Sequence, residues 1–166
     1  MSELTYPEIG RTRTGNLPDG YRHLRYRTLI GSGDAVYAAA GEAVVTFRMH
    51  RATGARVHAD AGRAAPGVGI TIGLGPVSAP CEIVWVTADK IKTGFAYGTR
   101  AGHPATGEES FAVERDDQGR VWFQVVAFSR PAGALMRLAG PVAVLFQRLY
   151  ARQCGRVLRR LGNVAP

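Results

Sequence analysis

Residues 131–161 read PAGALMRLAGPVAVLFQRLYARQCGRVLRRL, and the fold turns on this stretch. Pro131 opens a helix at a position where a missing amide N–H costs nothing. On a helical wheel Leu135, Leu138, Val142, Leu145, Phe146 and Leu149 fall within about 100°, the width of a core-facing stripe. Arg137, Arg148, Arg152 and Arg159 occupy a separate, narrow sector. Pro141 follows Gly140 inside the run, which predicts a kink or short break there. At ~1.5 Å per residue the stretch reaches roughly 46 Å, about a domain diameter, so the helix must cross the molecule end to end.

The residues upstream supply what the helix crosses. Short strands are predicted near 55–60, 68–75, 81–87, 93–99, 108–116 and 120–129. Turn chemistry separates them: Ala-Pro-Gly at 65–67, Gly-Pro at 75–76, Ala-Asp-Lys at 88–90 and Asp-Asp-Gln-Gly at 116–119. Strands recurring every 10–13 residues without intervening helices form antiparallel hairpins, not βαβ units.

A further strand and a helix come earlier. From Tyr21 to Ile30 the chain alternates, with Leu24, Tyr26, Thr28 and Ile30 on one side and His23, Arg25 and Arg27 on the other. Gly31-Ser32-Gly33-Asp34 breaks this strand, and Asp34 is placed to cap a helix. Val36, Ala40, Ala43, Phe47 and His50 then share one helical face, read as a single helix that Gly54 stops. Residues 1–20, rich in Gly and Pro, read as an N-terminal arm. Residues 21–166 read as one α+β domain with a curved antiparallel sheet of about seven strands, one helix in its N-terminal half and a long Pro-kinked C-terminal helix.

That element order resembles the helix-grip topology of the START-like and birch-pollen-allergen superfamily. The resemblance implies a sheet that wraps the last helix, with an apolar cavity between them. One departure is the first helical region, which reads as one helix where the superfamily often has a short helical pair. A closer resemblance rests on Tyr-Pro-Glu-Ile-Gly at 6–10, Leu-Pro-Asp-Gly-Tyr at 17–21, Phe-Arg-Met-His-Arg at 47–51, Phe-Ala-Tyr-Gly-Thr at 95–99, Gly-His-Pro-Ala-Thr-Gly-Glu-Glu at 102–109 and Ala-Phe-Ser-Arg-Pro at 127–131. These motifs are similar to those of a bacterial family known only as a domain of unknown function, so no chemistry is carried over from it.

Composition bounds the function. The 166 residues carry 21 Lys and Arg against 13 Asp and Glu, a net charge of +8. The last acidic residue is Asp117; after it come Arg120, Arg130, Arg137, Arg148, Arg152, Arg156, Arg159 and Arg160, which together equal the whole excess. Charge concentrated at one end suits RNA, an anionic membrane or an acidic partner, or is simply a solvated helix face. Cys81 and Cys154 match no metal or disulfide spacing and read as buried free thiols. No leader and no membrane-length apolar run is visible, so a cytoplasmic location is expected by elimination.

Candidate site residues follow from residue type. His103 sits in the connection Thr99–Glu108, read as a long loop, with Glu108 and Glu109 following; an imidazole oriented by a carboxylate suits a general base. The alternative is that His-Pro-Ala-Thr-Gly is turn chemistry. His50, with Arg48 beside it, either faces a cavity or complements a helix C-terminus. Trp85, Tyr97 and Phe128 are candidate cavity lining, with Tyr97 its polar handle. Gly67, Gly69, Gly73 and Gly75 leave one strand face nearly bare, for sheet curvature or a close approach. Gly31-Ser32-Gly33 is no dinucleotide loop, because Val36 stands at the third glycine position and no parallel unit follows. No phosphate loop, zinc spacing or nucleophile elbow is present, so no metal or cofactor is expected.

Three functions are therefore expected, in this order. The first is binding of a small apolar or amphipathic molecule between sheet and helix. The second is cyclase- or hydratase-like acid/base chemistry in the same place, with His103 or His50 as base and Tyr97 as donor. The third is docking to RNA or an anionic membrane through Arg137, Arg148, Arg152 and Arg159.

Overall fold

The hairpin signals translate into seven strands: β1 (Arg22–Ser32), β2 (Arg56–Ala59), β3 (Gly69–Leu74), β4 (Val77–Ala88), β5 (Lys92–Thr99), β6 (Ala105–Arg115) and β7 (Arg120–Pro131). The computed structural model describes residues 3–163; the side chain of Leu135 lies outside the described set. All seven strands form one antiparallel sheet in the order β1-β7-β6-β5-β4-β3-β2. Only the first strand departs from chain order. It pairs with the last, so the chain crosses from one sheet edge to the other between β1 and β2.

Helices make that crossing. Arg11–Thr14 forms a single turn, α1, in the N-terminal segment; α2 (Asp34–Val45) and α3 (Arg48–Ala52) span the crossing. The expected single helix is thus a helical pair. The break is at Phe47, which adopts a left-handed φ of 64° while its ring is buried against Phe95. Burial of the ring offsets a backbone cost that a non-glycine residue normally avoids. The predicted face survives the break, because Ala40, Ala43, Phe47 and His50 are all buried.

The C-terminal helix also divides, at the expected place. α4 (Ala134–Leu138) ends at Ala139, and α5 (Gly140–Gly162) restarts with Pro141 in its first turn, where no intrahelical N–H is needed. α5 lies across the concave face of the sheet against α2, α3, β1 and β7. Its inward face is made of Ala151, Cys154, Gly155, Val157 and Leu158. Gly155 lets it settle on β1: a Cβ there would meet Thr28 Cγ2 at 3.0 Å and the Tyr26 hydroxyl at 3.3 Å.

The wheel reading of this helix is corrected by its packing. Leu138, Val142, Leu145, Phe146 and Leu149 point away from the sheet and are exposed, Leu138 by 84% and Val142 by 70%. Where α5 comes closest to the strands its inward face is set by Ala151, Cys154 and Gly155, and leucines at those three positions would hold it off.

Two bulges interrupt the pairing, between Leu29 and Gly31 on β1 and between Ile83 and Trp85 on β4. Bulges bend and twist a strand, and here they help the sheet to wrap. The bare face of β3 is crossed by side chains: the Arg56 guanidinium lies over Gly73, and Asp60 and Arg100 lie over Gly69. The principal core fills the space between the concave face and the helices. A smaller apolar cluster of Tyr6, Leu17 and Phe128, flanked by Tyr21 and Val126, sits on the opposite face.

Candidate functional site

Alternation along β6 sends Glu108 and Glu109 to opposite faces of the sheet, and the candidate residues divide accordingly. On the outer face Glu108 is 2% exposed. Its carboxylate accepts hydrogen bonds from the Tyr6 hydroxyl (2.6 Å), the Gly10 amide (2.7 Å), the Thr12 amide (3.1 Å) and the Thr12 hydroxyl. Trp85 Nε1 donates to Thr12 Oγ1 at 2.9 Å, and the Phe128 ring lies edge-on to Tyr6 and Tyr21. Tyr6 can lie flat on the strands because residue 98 is glycine; a Cβ there would collide with the phenol. Glu108, Trp85 and Phe128 therefore hold the N-terminal segment in place and do not line the helix-side space. The bulge after Ile83 explains Trp85, since it turns the indole to the face opposite Cys81 and Ile83.

On the inner face, under α5, the remaining candidates meet. The His50 ring is enclosed by four aromatic rings, with centroids 4.5 Å from Phe111, 5.8 Å from Phe95, 6.0 Å from Tyr97 and 6.4 Å from Tyr150. It has no solvent exposure, and neither imidazole nitrogen has a hydrogen-bond partner. Burial, with a smaller contribution from Arg51, pulls its pKa down to about 3, so the ring is neutral at physiological pH. Tyr150, from α5, also has a buried hydroxyl without a partner in good geometry; Thr53 and Cys154 are its polar neighbours.

Glu109 completes the group. Tyr97, its cross-strand partner on β5, donates from its hydroxyl to Glu109 Oε1 at 3.3 Å, and Gln147 on α5 donates to Oε2 at 3.4 Å. Both bonds are long for contacts to a carboxylate. Burial consequently pushes the Glu109 pKa up to about 7, against the partial offset of these two donors. Burial likewise pushes the Tyr97 phenol and the free thiols of Cys81 and Cys154 up. The result is an aromatic enclosure with an acid poised near neutrality, a neutral imidazole and two phenols.

Other candidates lie elsewhere. The connection holding His103 is shorter than expected, because β6 begins at Ala105. His103 Nδ1 accepts the Ala105 amide at 2.9 Å, and burial pulls its pKa down to about 4. That is the turn-chemistry reading, and His103 does not join the enclosure. Arg48 is exposed at the start of α3. Arg137, Arg148, Arg152 and Arg159 are all exposed on α4 and α5, and Arg159 donates to the Leu29 carbonyl of β1 at 2.9 Å. Gln147 and Tyr150 were missed by sequence reasoning. Their spacing from Ala151 and Cys154 was the available signal, and it was masked by the larger apolar residues on the other side of the helix.

Two surface depressions lie outside this enclosure. One, about 250 Å³, is bounded by Tyr26, Arg152, Gly155, Arg156 and Arg159; the other, about 560 Å³ and shallow, runs beside Ile91 and Arg115–Asp117. Among the described residues, no three His, Cys, Asp or Glu side chains gather as a metal site.

Residues 5–157 match a family model described as "Domain of unknown function (DUF1990)". The chain belongs to the DUF1990 family. A UPF0548 protein of Deinococcus radiodurans is 32% identical over 170 residues, covering 94% of this chain and 86% of that one. A UPF0548 protein of Arabidopsis thaliana is 32% identical over 95 residues (54% of this chain, 46% of that one), and one of Dictyostelium discoideum is 36% identical over 81 residues (44% and 38%). DUF1990 relatives are thus not confined to bacteria, as the sequence motifs alone had suggested. Among solved structures, a hypothetical protein of Helicobacter pylori superposes with a TM-score of 0.63 at 11% identity, over 96% of this chain and 95% of that one. Ara h 8.0201 superposes with a TM-score of 0.50 at 10% identity, over 84% and 98%. At these identities the likeness concerns the fold, and it is the helix-grip fold of the Bet v 1 type.

Proposed function

We propose that this DUF1990 chain binds a small amphipathic molecule between the concave face of the sheet and α5. Its apolar body would pack on Phe95 and Phe111, and its polar group would meet His50, Tyr97, Glu109 and Tyr150. The observation that carries this reading is the His50 imidazole, wholly buried with both nitrogens unpartnered. An unsatisfied buried polar group costs about 1–3 kcal/mol, and folded proteins rarely keep one without a use. Tyr150 repeats the pattern from a different element of the same enclosure.

A ligand enters by displacing the start of α5. That end is held to the sheet by a few polar contacts, Arg22 Nη1 to the Gly140 carbonyl at 3.0 Å and Gln147 to Glu109. The test is native mass spectrometry of the protein purified from its own host, alongside His50→Leu. A retained small molecule that is lost in the variant supports the reading. A bare polypeptide mass for the wild-type protein, with no binding of an apolar fluorescent probe such as 1-anilinonaphthalene-8-sulfonate, removes it.

A second reading has one specific observation in its favour. Glu109, at about 7, is matched to proton transfer near neutral pH, with Tyr97 beside it as a hydrogen-bond donor. In this version Glu109 takes the role of base that the sequence offered to His103 or His50, in cyclase- or hydratase-like chemistry. Turnover of the retained molecule by wild type and not by Glu109→Gln separates catalysis from binding alone.

A further inference from the structure

The outer side of α4 and α5 has no task in the ligand site, and its composition is unusual for a free surface. Leu138, Val142, Leu145, Phe146 and Leu149 form one apolar stripe, each more than half exposed. Soluble proteins seldom leave a contiguous stripe of this kind uncovered. Arg137, Arg148 and Arg152 are exposed in the adjoining sector, and the 250 Å³ cleft lined by Arg152, Arg156 and Arg159 follows toward the C-terminal end. None of these arginines forms an ion pair among the described residues.

We propose that this face docks on an anionic phospholipid surface, with α4 and the first half of α5 lying in the plane of the interface. Three observations select that occupant. Apolar side chains bordered by arginine are the pattern of a helix that lies on a membrane, where arginine stems run along the acyl boundary and guanidinium groups reach phosphate. No described helix is long and apolar enough to cross a bilayer. Residues 118–163 include no Asp or Glu, so the same helix of a second copy brings this face no acidic side chain. A nucleic acid would answer the arginines and leave five apolar side chains in water.

This inference does not depend on the proposed ligand, because it concerns the opposite side of the helix. Flotation with phosphatidylcholine vesicles, with and without phosphatidylserine, tests it on the intact chain. Binding is expected with phosphatidylserine and should weaken as salt is added. The triple variant Val142→Ser, Leu145→Ser, Leu149→Ser should lower vesicle affinity by about tenfold or more with little change in the thermal midpoint, since each of these side chains is more than half exposed. Arg148→Gln with Arg152→Gln should remove the preference for phosphatidylserine, and Phe146→Trp should show a blue-shifted emission on vesicles. No binding to either vesicle overturns the proposal, as does binding that the serine variant leaves unchanged. A wild-type dimer dispersed by the serine variant, without vesicle binding, assigns the stripe to a second copy. RNA binding equal in wild type and serine variant, without vesicle binding, assigns the arginines to nucleic acid.

Discussion

The Glu108 carboxylate accepts a 2.6 Å hydrogen bond from the Tyr6 hydroxyl across 102 residues of sequence. Two motifs that stand far apart in the chain, Tyr-Pro-Glu-Ile-Gly and Gly-His-Pro-Ala-Thr-Gly-Glu-Glu, are thereby one structural unit. Glu108 draws further donors from Gly10 and Thr12, and Trp85 fixes the Thr12 hydroxyl in turn. Removing this acceptor leaves those donors buried without a partner. Glu108→Ala should therefore destabilise the fold by about 3–5 kcal/mol, and Tyr6→Phe by about 1–2 kcal/mol. Urea unfolding followed by tryptophan fluorescence measures both. Equal stability of Glu108→Ala and wild type would show that the N-terminal segment is not anchored as described.

His50 has the opposite signature. Its folded pKa, about 3, lies below the ordinary 6.5, so its contribution to stability is present above pH 6.5 and is lost as the pH falls toward 3. The groups that face it are Phe95 and Tyr97 of β5, Phe111 of β6, Tyr150 of α5 and the neighbouring Arg51. None offers a negative charge to hold the protonated ring. His50→Leu, similar in volume, should raise stability at pH 7 by about 1–2 kcal/mol, because two unpaired nitrogens are removed. It should also flatten the acid limb of the stability profile between pH 6.5 and 3. Denaturant titrations at several pH values measure both effects, and a variant less stable than wild type at pH 7 would contradict the unpaired state of the ring.

Glu109 titrates in the other sense. Its folded pKa of about 7 is above the ordinary 4.5, so its favourable share is complete below pH 4.5 and is lost as the pH rises through 7. Tyr97, Gln147, Tyr150, Cys81 and Cys154 surround it, and no cation is among them. Glu109→Gln keeps an acceptor for the Tyr97 hydroxyl and removes the charge. The variant should match wild type at pH 4.5 and exceed it in stability at pH 8, with the gap opening between those values. A gap independent of pH would place the Glu109 carboxyl at its ordinary value.

Much of this architecture could be read before the structure, and the failures share a physical cause. Strands were legible because turn residues punctuate them and because Leu24, Tyr26, Thr28 and Ile30 alternate with arginines. Which face a side chain takes depended on features that leave little trace in composition. One bulge turned Trp85 to the outer face, and adjacency alone could not say which of Glu108 and Glu109 pointed toward the helix. Phe47 ended a helix in a left-handed conformation that sequence rules assign to glycine or asparagine. On α5 the bulkiest apolar stripe is the exposed one, because Ala151, Cys154 and Gly155 are the residues small enough to meet the strands. Hydrophobic amount outvoted fit, so Gln147 and Tyr150 went unnoticed.

The two sides of α5 can be separated by a single pair of substitutions. Leu149 and Leu158 are the same residue on the same helix, one 51% exposed and the other wholly buried in the principal core. Truncating a buried leucine forfeits its transfer energy and leaves a cavity, which costs about 2–5 kcal/mol. Truncating one that already faces water should change stability by no more than about 0.5 kcal/mol. Leu158→Ala is therefore expected to lower the unfolding midpoint steeply, and Leu149→Ala to leave it in place. Had the wheel reading been right, Leu149→Ala would be as damaging as Leu158→Ala, so chemical denaturation of the two proteins decides which face of the helix the core uses. The same pair divides stability from surface function, because Leu149→Ala should weaken vesicle binding in a protein whose fold is untouched.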